Sequence, residues 1–155
     1  ADFSFSIIMV SLLNRQATFT YFIEDKFEAG LQLLGTEVKS LREGKASFND
    51  AYCLLEEGEI WIKSLHIAPY SHGSHSNHDP LRIRKLLLQK REINKIESRL
   101  KEKGFTLIPL KIFFNSKGFA KIEIGLAKGK KQADKRETLK KKQAEREMKR
   151  DQLSD

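Results

Sequence analysis

Two apolar runs near the C-terminal end, FTLIPLKIFF (105–114) and FAKIEIGLA (119–127), are separated only by the four residues NSKG. In the second run Ala120, Ile122, Ile124 and Leu126 alternate with Lys121, Glu123 and Gly125. A period of two lays one apolar face along a strand and no single stripe along a helix, so the segment predicts a β-hairpin closed by a Gly-containing turn. A lone hairpin has two unpaired edges and little core, so the rest of the chain must supply strands to flank it.

It does so. SFSIIMVSLL (4–13) reads as a strand ending at Asn14, a good N-cap for a short helix in NRQATF, after which TYFIEDKFEAGLQLL (20–34) resumes strand character. Gly30 within it predicts a bulge or bend. GTEVKSLREGK predicts a short helix capped by Thr36, with Glu37 in its first turn, Val38 and Leu41 on one face and Gly44 ending it. AYCLLEEGEIWIKSLHI (51–67) reads as a second hairpin turning at Glu57 and Gly58. PYSHGSHSNHDP (69–80) has the composition of an exposed loop, and LRIRKLLLQKREINKIESRLKEKG (81–104) predicts an amphipathic helix with Ile93, Ile96 and Leu100 on its buried stripe. About six strands, mostly hairpin-connected, with three short helices favour a small closed antiparallel barrel over an open sheet.

The last segment cannot belong to that core. Residues 128–155 hold 11 Lys/Arg against 6 Asp/Glu, a net of +5, whereas residues 1–127 contribute +3 to the chain's total of +8. Glu137 with Lys141 and Glu145 with Lys149 are helix-favouring pairs, but Leu139, Ala144 and Met148 make no continuous apolar stripe. The chain therefore divides into a packed body, 1–127, and a basic tail, 128–155, expected to be disordered when free and helical on a polyanion that neutralises its lysines and arginines.

Candidate chemistry is sparse. His72, His75 and His78 stand at a spacing that raises a metal-dependent enzyme as one reading, but a Gly- and Ser-rich loop favours solvent exposure, and no metal is assigned. Glu56, Glu57 and Glu59 sit at a hairpin turn, in water, where nothing separates their pKa values for acid and base roles. No nucleophile elbow or phosphate-binding loop is present, so no catalytic residue and no cofactor are assigned. Cys53 is the only cysteine, which suits a reducing, cytoplasmic setting, and the run IIMVSLL (7–13) is too short to span a bilayer, so no membrane association is expected. What remains is a basic surface: Arg82, Arg84, Lys85, Lys90 and Arg91 flank the apolar LLL, and Phe19, Tyr21, Tyr70 and Phe119 are candidates for base stacking or for core.

Six stretches then align with a known pattern: NRQATFTYFIEDKFEAG (14–30), GTEVKSLREGKASFNDAY (35–52), HIAPY (66–70), HDPLRIRKLLLQKREI (78–93), KGFTLIPLKIFF (103–114) and LAKGKKQADKR (126–136). In this order they resemble the tmRNA-binding small protein B family, which partners tmRNA in rescuing stalled bacterial ribosomes. The resemblance implies an OB-like barrel that binds the tRNA-like domain of tmRNA, with RNA-touching positions at Asn14, Glu28, Arg84, Lys85, Leu87 and Lys121. It places Gly129, Lys130, Lys131, Asp134, Lys135 and Arg136 in the tail that enters the decoding region, beside small-subunit rRNA, and the empty mRNA channel. It implies a monomer acting in the bacterial cytoplasm with EF-Tu and GTP. The alternative reading is a general ribosomal or tRNA-binding OB module. Ala133 stands where the family often has His or Tyr, Phe19 where His is frequent, and the opening DFSFSIIMVSLL replaces a more usual Lys-rich lead.

Overall fold

A computed structural model describes residues 11–73, 77–130, 143, 144 and 146 of the chain. Its described elements are β1 (Ser11–Leu13), α1 (Ala17–Thr20), β2 (Tyr21–Leu31), α2 (Gly35–Arg42), β3 (Ala46–Ser47), β4 (Tyr52–Glu56), β5 (Glu59–Lys63), β6 (His66–Ile67), β7 (Arg84–Leu87), α3 (Lys90–Leu100), β8 (Phe105–Phe114) and β9 (Ala120–Gly129). Seven strands form one antiparallel sheet in the order β1-β8-β9-β2-β7-β5-β4, and β3 pairs with β6 separately.

The predicted hairpin is β8 and β9, and it lies inside the sheet. β1 pairs along the outer side of β8, while β2 runs antiparallel to nearly the whole of β9. The alternation does what it promised: Ile122, Ile124 and Leu126 are fully buried and meet Phe27, Ala29, Ile60, Ile62, Leu86 and Ile96 in one core. Pro109 falls where the β8 ladder changes register, between Pro109 and Lys111, where its missing N–H is least costly. The second hairpin is β4 and β5, and both of its turn residues, Glu57 and Gly58, have positive φ (53° and 75°), as a tight two-residue turn demands.

Four expectations change. The sheet has seven strands, and no hydrogen-bonded ladder joins its ends, β1 and β4, among the described residues. β4 nonetheless approaches β8, so the sheet curls round the core, but the closed barrel is not completed by hydrogen bonds. The predicted helix over 81–104 is two elements. Arg84 and Leu86 point in while Ile83, Lys85 and Leu87 are more exposed, a period of two that makes β7, and the helix starts only at Lys90, where the Glu92 carboxylate reaches back to the Gln89 N–H (3.1 Å). Asn14 does not cap α1; its Nδ2 donates to the Pro109 carbonyl (2.8 Å) and fastens the end of β1 to β8. Thr36 lies inside α2, which is capped at Leu34 with the Glu37 carboxylate on the Leu34 N–H (2.7 Å).

Burial ends at Ala127, and Lys128 and Gly129 are exposed, but the strand runs on. β9 continues through Gly129, two residues past the boundary read at 127, because Tyr21 and Phe22 offer partners to Gly129 and Lys128.

Candidate nucleic-acid interface

β2, β7 and β9 meet at one end of their pairing. Gly30 of β2 is in register with Leu87 of β7 on one side and Lys121 of β9 on the other. Two positions back along β2 lies Glu28, on the same face by the strand's period of two, and two back along β7 lies Lys85. With Glu59, Leu88, Gln89 and Glu92 they line an open groove of about 480 Å³. Four of the six residues expected to touch RNA, Glu28, Lys85, Leu87 and Lys121, thus come together.

Gly30 leaves Leu87 its room. A Cβ built there would lie 3.2 Å from Leu87 Cβ and 3.5 Å from its Cδ1, so any side chain would crowd the leucine. The bulge expected at Gly30 is instead found between Ile23 and Asp25, and Gly30 serves as the groove floor. Leu87 is 51% exposed, an apolar surface sharing the groove with Lys85 and Lys121. Lys85 pairs with Glu59 (Nζ to Oε1, 3.6 Å), while Lys121 and Glu28 make no ion pair among the described residues. The arrangement offers an apolar platform for a base or sugar, ammonium groups for phosphate, and a carboxylate that accepts hydrogen bonds from base amino groups or a 2′-hydroxyl.

Arg84 is not part of that surface. Its side chain is fully buried, with Nε on Glu37 Oε2, Nη1 on the Leu65 carbonyl (2.6 Å) and Nη2 on the Pro80 carbonyl (3.2 Å). Glu37, equally buried, accepts from the Arg82 guanidinium as well (2.6 and 3.3 Å). Burial alone would raise the Glu37 pKa, but hydrogen bonds from Arg82, the Leu34 N–H and Arg84 outweigh it and hold the carboxyl below its ordinary range. Strand alternation explains the departure: Arg84 is basic and adjacent to Lys85, but neighbours along a strand face opposite ways.

Asn14 also stands apart. It lines a different groove, of about 640 Å³, with Arg15, Gln16, Asn49, Tyr52 and Thr106, which shares no residue with the first. Of the candidate stacking rings, Phe119 is 64% exposed at the tip of the β8–β9 hairpin, whereas Phe19, Tyr21 and Tyr70 are half-buried. Lys90 and Arg91 are exposed at the start of α3. In the tail, Gly129 ends β9 and Lys130 is described; Lys131, Asp134, Lys135 and Arg136 lie outside the described residues.

Both described ends of the histidine loop are tied down. His78 is buried, with Nε2 donating to the Ile67 carbonyl (2.9 Å) and Nδ1 hydrogen-bonded to Thr36 Oγ1 (2.8 Å). Both nitrogens are occupied, which leaves no lone pair for a metal. Asn77 bonds the Tyr70 N–H and carbonyl (3.1 and 2.9 Å), and His72 meets the Tyr70 ring edge-on. His75 lies outside the described residues, and among the described residues no three His, Cys, Asp or Glu gather as a metal site. Cys53 is buried, which raises its thiol pKa. No helix among the described residues is long and apolar enough to cross a membrane.

The SmpB protein family model matches residues 11–154. The chain belongs to the SmpB family. Among curated relatives, the SsrA-binding protein of Fervidobacterium nodosum is 56% identical over 136 residues, covering 88% of this chain and 91% of that one. The SsrA-binding protein of Geobacter sulfurreducens is 54% identical, covering 87% and 88%. A solved chain from work described as "tmRNA-SmpB: a journey to the center of the bacterial ribosome" superposes with a TM-score of 0.67 at 50% identity, over 79% of this chain and 86% of that one. The SmpB resemblance drawn from six stretches thus extends through the fold.

Proposed function

We propose that this chain is a non-enzymatic RNA-binding adaptor of trans-translation. Its groove between β2, β7 and β9 binds the tRNA-like domain of tmRNA and carries it to stalled ribosomes for rescue and nascent-chain tagging. The observation that carries this reading is the convergence of Glu28, Lys85, Leu87 and Lys121 around Gly30, in a chain whose relatives are described as SsrA-binding proteins. Leu87 gives shape and apolar contact, Lys85 and Lys121 neutralise phosphates, and Glu28 accepts from base or ribose donors. Asn14, from the separate groove, contributes through the β1 end that it fastens. Arg84 acts from within, by fixing β7.

In this reading the curled sheet serves as the family's OB-like barrel. The basic tail, with Lys131, Asp134, Lys135 and Arg136, enters the decoding region and the empty mRNA channel and folds there as a helix. The protein works as a monomer in the bacterial cytoplasm, in company with EF-Tu and GTP. The test is to sequence the RNA that co-purifies with the chain and with a Leu87→Asp variant. tmRNA enriched by the native chain and lost from the variant is the expected result; bulk tRNA or rRNA in its place would make the protein a general tRNA- or ribosome-binding module.

A further inference from the structure

Lys130, the residue after β9, is bound to the body. Its backbone N–H donates to the Thr20 carbonyl (2.8 Å), its Nζ donates to the Thr18 carbonyl (2.8 Å), and Nζ lies 4.9 Å from the centre of the Phe22 ring. α1 is four residues long, so every one of its carbonyls lacks an intrahelical partner, and they form the negative end of its dipole. The Tyr21 N–H takes the Ala17 carbonyl and Lys130 takes two of the others, so this lysine is part of how α1 ends. Phe22, 49% exposed, pairs in register with Lys128, whose own Nζ stands 4.7 Å from the Phe105 ring. The strand end is therefore held by alternating rings and ammonium groups across β2, β9 and β8.

We propose that Lys130 is a positioning residue of the body, a clasp that fixes where the tail departs, and not a ribosome contact. This rests on the tail's role proposed above. Releasing residues 129 and 130 would let the tail's origin wander by about 7 Å, at up to about 3.5 Å per residue, which is enough to miss a narrow channel as the complex docks. The exposed ring of Phe22 then has a function of its own: it stabilises the ammonium group that the α1 carbonyls bind.

The experiment compares Lys130→Met, Phe22→Leu, the double variant and a chain cut after Lys130, each full length otherwise. Folding is checked by thermal melts, tmRNA affinity by filter binding, and tagging by a reconstituted translation assay. Hydrogen exchange of the residue-130 amide is followed in the free protein. K130M and F22L are expected to keep tmRNA affinity, to speed exchange at that amide and to lower tagging by roughly three- to tenfold each. The double variant should fall no further than K130M. Unchanged exchange in K130M, or losses in tagging that multiply in the double variant, would overturn the clasp. Should the chain cut after Lys130 still tag, the tail's proposed role is what fails; should it not tag while the single variants act independently, only the clasp fails.

Discussion

Replacing Glu37 by Gln should destabilise the protein far more than loss of a surface charge. The Glu37 carboxylate is fully buried and accepts from Arg82, Arg84 and the Leu34 N–H, and Arg84 is fully buried beside it. The amide keeps one acceptor but turns its NH2 towards a guanidinium that has only donors, leaving Arg84 charged, enclosed and unpaired. Breaking a buried pair in this way costs about 3–5 kcal/mol, against about 1 kcal/mol for an exposed one. For a chain of this length each kcal/mol lowers Tm by roughly 2–4 °C, so Glu37→Gln should melt about 10 °C below the native chain at pH 7, followed by circular dichroism. The dependence on pH has a sign. The folded-state pKa of Glu37 lies below its unfolded value of about 4.3, so the unfolded chain binds the extra proton. The pair's contribution is therefore present in full well above that unfolded value and fades as pH falls through the folded value, and the two melting curves should converge in acid. Adding Arg84→Met to Glu37→Gln removes the orphaned charge and should recover much of the loss. A Glu37→Gln chain melting within 2 °C of native at pH 7, a scale set by less than about 1 kcal/mol, would refute the assignment of a buried, charged pair.

The groove yields further expectations. Gly30→Ala, which presses a methyl group on Leu87, should lower tmRNA affinity about fivefold and lower Tm by a few degrees, because the atom it meets is Leu87 Cβ, which moves only with the β7 backbone, an overpacking cost of about 1 kcal/mol or more. Lys85→Ala and Lys121→Ala should each weaken tmRNA binding and each reduce the slope of log K against log salt by about 0.7–0.9, the signature of one phosphate left without its lysine, as read from filter binding over a salt series. A chain ending at Lys130 should bind tmRNA as tightly as the native protein and fail to tag stalled nascent chains, whereas one ending at Ala127 should also melt lower, since it lacks the last β9 pairs with Tyr21 and Phe22.

How much of this the sequence carried depended on the range of the signal. The two hairpins and α2 were legible because alternation, turn residues and a glutamate in the first turn act within ten residues. β7 was missed for a related reason: RIRKLLLQ is too short for its period to be separated from that of the helix that follows it. Arg84 could be read as basic, but its burial depends on Glu37, 47 positions earlier. His78 likewise takes its partners from Thr36 and Ile67. Composition pointed to a polyanion and no further; the individual groove residues came from the family pattern, and only the fold showed that Gly30 floors the groove and that Asn14 belongs elsewhere.

Arg84 and Lys85 make the same point from the physical side. Adjacent residues on a strand face opposite ways, so β7 presents Lys85 and Leu87 to the groove only while Arg84 and Leu86 face the core. A slip of one residue would exchange the two sets, putting Leu87 inside and Arg84 in water. Two leucines in the run LLL make such a slip cheap in apolar terms, since a leucine would still fill the core position. What opposes it is Glu37, whose buried carboxylate takes the Arg84 guanidinium from inside the sheet while Arg82 reaches it from the partly exposed side. The pair therefore acts on register more than on stability, the best-attested use of a buried charge. The Glu37→Gln, Arg84→Met double variant separates the two effects: it should regain much of its melting temperature while recovering less of its affinity for tmRNA, because only the ladders to β2 and β5 and the buried Leu86 are left to hold the register of the strand that carries Lys85 and Leu87.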